Sequence, residues 1–122
     1  ELGKVVAGGA MMGPAVENLS YPTTKTTSGL IMLSAAAAEP PQVNPCIRCG
    51  RCVEYCPMGL EPVEVNQAYA ARDVQELGKL HVDYCFNCGS CTFVCPAKRP
   101  CTQMMGLAKA FYLGEIKKGG NK

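Results

Sequence analysis

Tryptophan is absent, histidine occurs once, as His81, and only 7% of the 122 residues are aromatic. Charge is scarce as well: 18% of residues carry it, and the formal balance is +2. So weak a positive charge argues against a nucleic-acid binder. Low charge with a mean hydropathy near zero excludes a disordered polyelectrolyte. Long apolar runs are missing. The longest, Leu30 to Ala38, has nine residues including a Ser, well short of the ~20 a transmembrane helix needs. No secretory leader is evident, because the apolar stretch from Val5 to Val16 is broken by Gly8, Gly9, Gly13 and Pro14. No Ser/His/Asp or Cys/His catalytic set is visible. Gly8-Gly9-x-x-x-Gly13 departs from the G-x-G-x-x-G phosphate loop, and Thr23 to Thr27 lacks the Walker spacing.

What the chain has in quantity is cysteine: nine residues, about one in fourteen, far above ordinary usage. An odd count leaves one thiol over from any complete disulfide framework. A reducing, cytoplasmic setting suits these cysteines better than secretion does. All nine lie between Cys46 and Cys101. Residues 1–33, by contrast, contain none and already read like the middle of a fold, so the sequence is expected to be a fragment of a longer protein.

The cysteines repeat. Cys46-Ile47-Arg48-Cys49-Gly50-Arg51-Cys52-Val53-Glu54-Tyr55-Cys56-Pro57 recurs 39 positions later as Cys85-Phe86-Asn87-Cys88-Gly89-Ser90-Cys91-Thr92-Phe93-Val94-Cys95-Pro96, with six of twelve positions identical. This is C-x2-C-x2-C-x3-C-P written twice, the spacing by which thiolates hold [4Fe–4S] cubanes. Three closely spaced cysteines wrap three corners of one cube, and the fourth is directed to the other cluster. The expected ligand sets are therefore Cys46, Cys49, Cys52 and Cys95 for one cluster, and Cys85, Cys88, Cys91 and Cys56 for the other. Structural zinc prefers two C-x2-C pairs separated by a loop and fits this spacing poorly. A Rieske centre needs two His ligands, and the chain has one. Gly50 and Gly89, at equal offsets, are expected at positive φ, letting backbone amides approach the cluster. Pro57 and Pro96 fix the chain's exit after the fourth ligand.

Around the motifs the pattern is helical. Pro62 to Arg72 reads as a helix with Pro62 in its first turn. Asp73 can cap a second, Val74 to Lys79, ending near Gly78. Cys101 to Lys118 reads as a third, with Met104, Leu107, Ala108, Phe111 and Ile116 on or near one face. Lys4–Ala7 and Leu30–Leu33 are candidate strands. Two strands cannot bury a core alone, so they read as the tail of a larger β-containing domain. Ser34 to Pro45 is the linker, in which the Ala run reads equally as a short helical turn. The expected fold is mainly α: an α-helical dicluster ferredoxin domain over residues 46–122 behind a short β-containing remnant at 1–33.

Cys101 falls outside both quartets and reads as a buried thiol opening the last helix, with a spare ligand as the alternative. His81 reads as a loop or core imidazole. Arg48 and Arg51 stand where the second motif has Asn87 and Ser90. If their guanidinium groups fold towards the first cluster, it should have the higher potential. Lys98 and Arg99, with Lys117 and Lys118, read as solvated ends or as a patch for an acidic partner.

The order Gly8–Gly13 (GGAMMG), Thr24–Leu33 (TKTTSGLIML), Cys46–Leu60 (CIRCGRCVEYCPMGL) and Cys85–Pro100 (CFNCGSCTFVCPAKRP) resembles the C-terminal part of the RnfC family, components of Rnf electron-transport complexes. The resemblance implies an upstream FMN and NADH-binding domain, then a soluble-ligand-binding β-grasp (SLBB) domain whose end would be residues 1–33, then the dicluster domain. It further implies a protein peripheral to the cytoplasmic face of the cell membrane, in a complex coupling ferredoxin:NAD+ electron transfer to ion pumping. Its partners would be the other subunits and a redox partner protein. FMN and NAD(H) would bind outside this chain, which alone would be an electron carrier. Two rivals remain open at this point: a cobalamin-reductase-type flavin/Fe–S protein of a microcompartment, and a non-redox module held together by metal.

Overall fold

The computed structural model describes residues 1–119, which form two compact units, one over Glu1–Gln42 and one beginning at Val43. The first is built on strands β1 (Leu2–Ala7) and β2 (Leu30–Ser34), antiparallel, with Val5 opposite Met32 and Ala7 opposite Leu30. The register slips at Gly3. A Cβ there would lie 2.6 Å from the Ala35 Cα and 2.7 Å from the Ser34 carbonyl oxygen, so only glycine fits the bulge. The Ala run is helical: Ser34 caps α1 (Ala35–Ala38) by accepting from the Ala37 N–H at 3.3 Å. Residues 8–29 loop out and return, the Val16 N–H donating to the Val5 carbonyl at 2.7 Å. Val5 is the one apolar side chain of this unit in the buried set, as expected of two strands without a third layer.

The second unit is helical: α2 (Arg51–Glu54), α3 (Pro62–Ala70), α4 (Val74–Lys79), a 3-10 turn (Val82–Tyr84), α5 (Ser90–Val94) and α6 (Cys101–Gly119). Pro62 occupies the first turn of α3, where its missing N–H costs nothing. Asp73 caps α4, accepting from the Glu76 N–H at 3.1 Å. The long helix α6 closes the core, bringing Cys101, Met105 and Ala108 against Leu60, Val65, Ala68, Leu77, Val82 and Cys91. The i, i+3/i+4 spacing of those α6 residues is that of one helical face. The sequence placed Leu107 on that face as well, but it is 56% exposed. At the α3–α6 contact, Tyr69 and Phe111 meet edge to face with ring centroids 5.7 Å apart, and the Arg72 guanidinium lies 4.4 Å from the Tyr69 centroid.

Leu77 is fully buried, so Leu77→Ala should cost about 2–5 kcal/mol, transfer plus cavity. Asp73→Ala should cost about 1 kcal/mol, one cap. Denaturant unfolding of the two variants checks the order, and equal losses would contradict a core centred on Leu77.

Candidate metal centre

Each cysteine run is a loop leading into a short helix, and the two loops share a backbone conformation. Gly50 (φ 78°) and Gly89 (φ 88°) are left-handed and precede α2 and α5, as their repetition predicted. Arg48 (φ 53°) and Asn87 (φ 57°) are left-handed too, a region that asparagine favours among non-glycine residues but that nothing in the arginine side chain announces. The consequence is the same in both loops. The Arg48 N–H donates to Cys46 Sγ at 3.3 Å and the Asn87 N–H to Cys85 Sγ at 3.4 Å. The backbone thus turns inward to hold the first sulfur of each run.

All nine cysteines are free thiols, and all nine line two cavities, Cys101 joining the first as a fifth thiol. Cys46, Cys49, Cys52 and Cys95 line the first, of about 360 Å³. Cys85, Cys88, Cys91 and Cys56 line the second, of about 20 Å³, which Pro62 and Met105 help to close. Each cavity therefore receives three thiols from one run and the fourth from the other.

The sulfurs do not share one environment. Burial pushes the Cys52 thiol up, against opposing backbone N–H groups of Val63 and Val53. Burial likewise raises Cys91, with the Thr102 hydroxyl opposing it. Cys95 is the reverse case: burial works against its ionisation, but the N–H groups of Arg99, Ala97 and Lys98 and the Cys101 thiol together outweigh it and lower its value. Pro96 has no N–H, so the turn beyond it supplies these donors.

Cys101 opens α6, is 5% exposed, and lines the first cavity beside Cys95. Burial first, then the charges of Cys95 and Cys91, push its thiol up to about 12. The neighbouring residues divide by role. Arg48 lines the first cavity, but its guanidinium donates to Glu64 Oε1 at 2.8 Å, so a carboxylate already meets its charge. Arg51 lies outside that lining, on a neighbouring groove with Tyr55 and Phe93. The arginine pair is thus not aimed jointly at the first site. Arg99 does line it, with its Nη1 donating to the Asn44 carbonyl at 3.3 Å. His81 is exposed and stacks on Tyr84 with centroids 5.0 Å apart. Two residues that sequence reasoning missed are Asn66 and Lys109. Asn66 lines the first cavity with its Oδ1 buried and unpartnered. Lys109 donates from Nζ to the Cys85 carbonyl at 2.7 Å. Position i+4 from Met105 was the available signal for Lys109.

These residues fit an iron–sulfur group. Both donor sets are all thiol, the soft ligands such clusters take. The Asn66 Oδ1 is buried and unpartnered at the first cavity's wall, and since amide O and N are assigned by hydrogen bonding alone, the flipped amide would present an N–H donor where sulfur acceptors would sit. The second cavity is tight, and its loop carries the exposed Phe86 and Asn87.

Residues 45–98 match the family model described as 4Fe-4S dicluster domain. Over 77 residues the chain is 42% identical to the C component of the ion-translocating oxidoreductase complex of Rhodobacter capsulatus, covering 63% of this chain and 15% of that protein. It is 44% identical over 59 residues to the C component of the proton-translocating ferredoxin:NAD(+) oxidoreductase complex of Clostridium ljungdahlii, covering 48% of this chain and 13% of that one. With the Na(+)-translocating counterpart of Acetobacterium woodii it shares 38% identity over 74 residues, covering 61% and 16%. The chain is a relative of the C components of ion-translocating oxidoreductase complexes. It spans 13–16% of the length of these relatives. The residues matched as a 4Fe-4S dicluster domain include all eight cysteines of the two runs. Among the described residues no helix is long and apolar enough to cross a membrane.

With its folded value near 12 against an ordinary 9.0, Cys101 binds its proton more tightly folded than unfolded. Its contribution to the metal-free chain is therefore fully present below about pH 9 and is lost as pH rises towards 12. Cys101→Ala should flatten the alkaline fall in melting temperature between those limits. Parallel wild-type and variant curves would contradict the assignment.

Proposed function

We propose that the chain relays single electrons through two [4Fe–4S] clusters, one held by Cys46, Cys49, Cys52 and Cys95 and the other by Cys85, Cys88, Cys91 and Cys56. The observation that carries this reading is the pair of cavities, each lined by one complete interleaved quartet. Bound there, a cluster supplies one-electron storage. The chain's own work is to hold thiolates, to donate N–H groups to sulfur from Arg48, Asn87 and the turn after Pro96, and to keep water from Cys91.

In the same reading the chain is part of a membrane-associated ferredoxin:NAD+ oxidoreductase, peripheral to the cytoplasmic face, with other subunits and a redox protein as partners. The relatives' names support this. So do Ile47, Phe86 and Phe93, which stand 69%, 50% and 76% exposed around the cysteine loops as apolar surface for a partner to cover. We assign residues 1–33 to the end of a β-grasp domain. The FMN and NAD(H) sites belong to parts of the full-length protein that this chain does not span.

Anaerobically reconstituted protein should carry about eight iron and eight acid-labile sulfide per chain. Cys95→Ala should drop the iron to about four, whereas Cys101→Ala should keep all of it, since Cys101 is outside both quartets. Iron and sulfide analysis with EPR of the dithionite-reduced protein checks this. Zinc without sulfide, or loss of iron from Cys101→Ala, would overturn the reading. The chain alone should not oxidise NADH.

A further inference from the structure

The two cavities differ in charge. The wall of the first includes Arg48 and Arg99, while the wall of the second carries no charged side chain among the described residues. One cation nevertheless reaches the second site from outside its wall. Lys109, half-buried on α6, extends its ammonium to the carbonyl oxygen of Cys85, 2.7 Å away. That oxygen is separated from the Cys85 sulfur only by the residue's own C, Cα and Cβ atoms. Among the described residues no carboxylate lies within ion-pair distance of Lys109, whereas Arg48, Lys79 and Lys118 each have one. Its charge is therefore not cancelled locally, and partial burial limits screening by water and salt.

We propose that Lys109 sets the reduction potential of the second cluster. The inference rests on the two-cluster reading above. A cubane held by four thiolates is anionic and becomes more so on gaining an electron, with no bond made or broken. A fixed cation beside one ligand residue stabilises the reduced form more than the oxidised form, and the potential rises. The first site, with two arginines in its wall and exposed thiols at Cys46 and Cys49, does not depend on Lys109. Lys109 is thus a positioning and tuning residue whose effect falls on one cluster alone. Because the difference between the two potentials sets which cluster holds the electron, this lysine biases the direction of internal transfer.

The test is an EPR-monitored redox titration of the reconstituted full chain, with the second cluster's signal assigned by its loss in Cys88→Ala. Lys109→Met should lower the second cluster's electron affinity at least tenfold, a downward shift of about 59 mV for one electron, and leave the first cluster's midpoint in place. Lys109→Arg should restore the wild-type value. Lys109→Gln keeps an N–H donor for the Cys85 carbonyl without the charge, so it should shift like Met. Gln behaving like wild type, or equal shifts of both clusters, would reduce Lys109 to a structural tie and overturn the proposal. If Lys109→Met does not retain its second cluster, the Gln and Arg variants decide by the same criteria. Absence of two reducible signals from the wild type would instead overturn the two-cluster reading, and the proposal with it.

Discussion

The constraint on which this domain turns is the exchange of fourth cysteines. Each run brings three thiols to its own cavity and sends the fourth, Cys56 or Cys95, to the other. Neither cavity is complete without both loops, so α2 and α5 must lie side by side, and the segment between the runs must leave and return within that distance. Helices α3 and α4 do this by folding back with the cap at Asp73 between them. With its proposed cluster bound, each quartet would also be a cross-link between distant segments. Such links close long chain loops and relieve a small domain of the need for a large core. That is consistent with a core whose largest fully buried side chains are Leu77, Met105, Val65, Val82 and Pro62.

The helix that completes the arrangement is α6. Its first turn puts Cys101 into the wall of the first cavity, while Thr102 and Met105 line the second. The Thr102 N–H donates to the Thr92 hydroxyl oxygen at 2.8 Å, fixing α6 to α5. One helix thus serves both sites, and a displacement of its N-terminal turn is felt at both. The high value of the Cys101 thiol belongs to the same packing. It is kept neutral beside sulfurs that metal binding would keep charged, and as a hydrogen-bond donor it supports Cys95.

Much of this was legible in the sequence because cysteine spacing is a direct statement of ligand geometry. The glycines at equal offsets announced their positive φ, and Pro62 and Asp73 announced two helix starts. Arg48 did not announce its left-handed backbone, whereas Asn87 is of a residue type that tolerates it. Both adopt it where the loop turns its N–H onto the preceding cysteine sulfur, a demand that at Arg48 no propensity carries. The arginines show the converse. Their position inside the first motif suggested joint tuning of one cluster, but Glu64, sixteen residues on and on a different element, takes up the Arg48 charge. Lys109 and Asn66 were silent for the same reason: their partners are set by how α6 and α3 pack, not by neighbours in the chain.

In the proposed two-cluster reading, the two sites would solve the same electrostatic problem by different means. At the first, Cys46 and Cys49 are exposed and the cavity is wide, so water, a carboxylate-paired arginine and Arg99 share the response to an added electron. At the second, Cys91 is buried and no charged side chain lines the space among the described residues. A site of low polarity resists gaining charge unless a fixed charge or dipole is built nearby. A site open to water can be shared with a partner's surface, since solvent there can be displaced. On the two-cluster reading proposed above, the open quartet would suit exchange with another protein, and the more enclosed one would suit holding an electron at a level that Lys109 helps to fix.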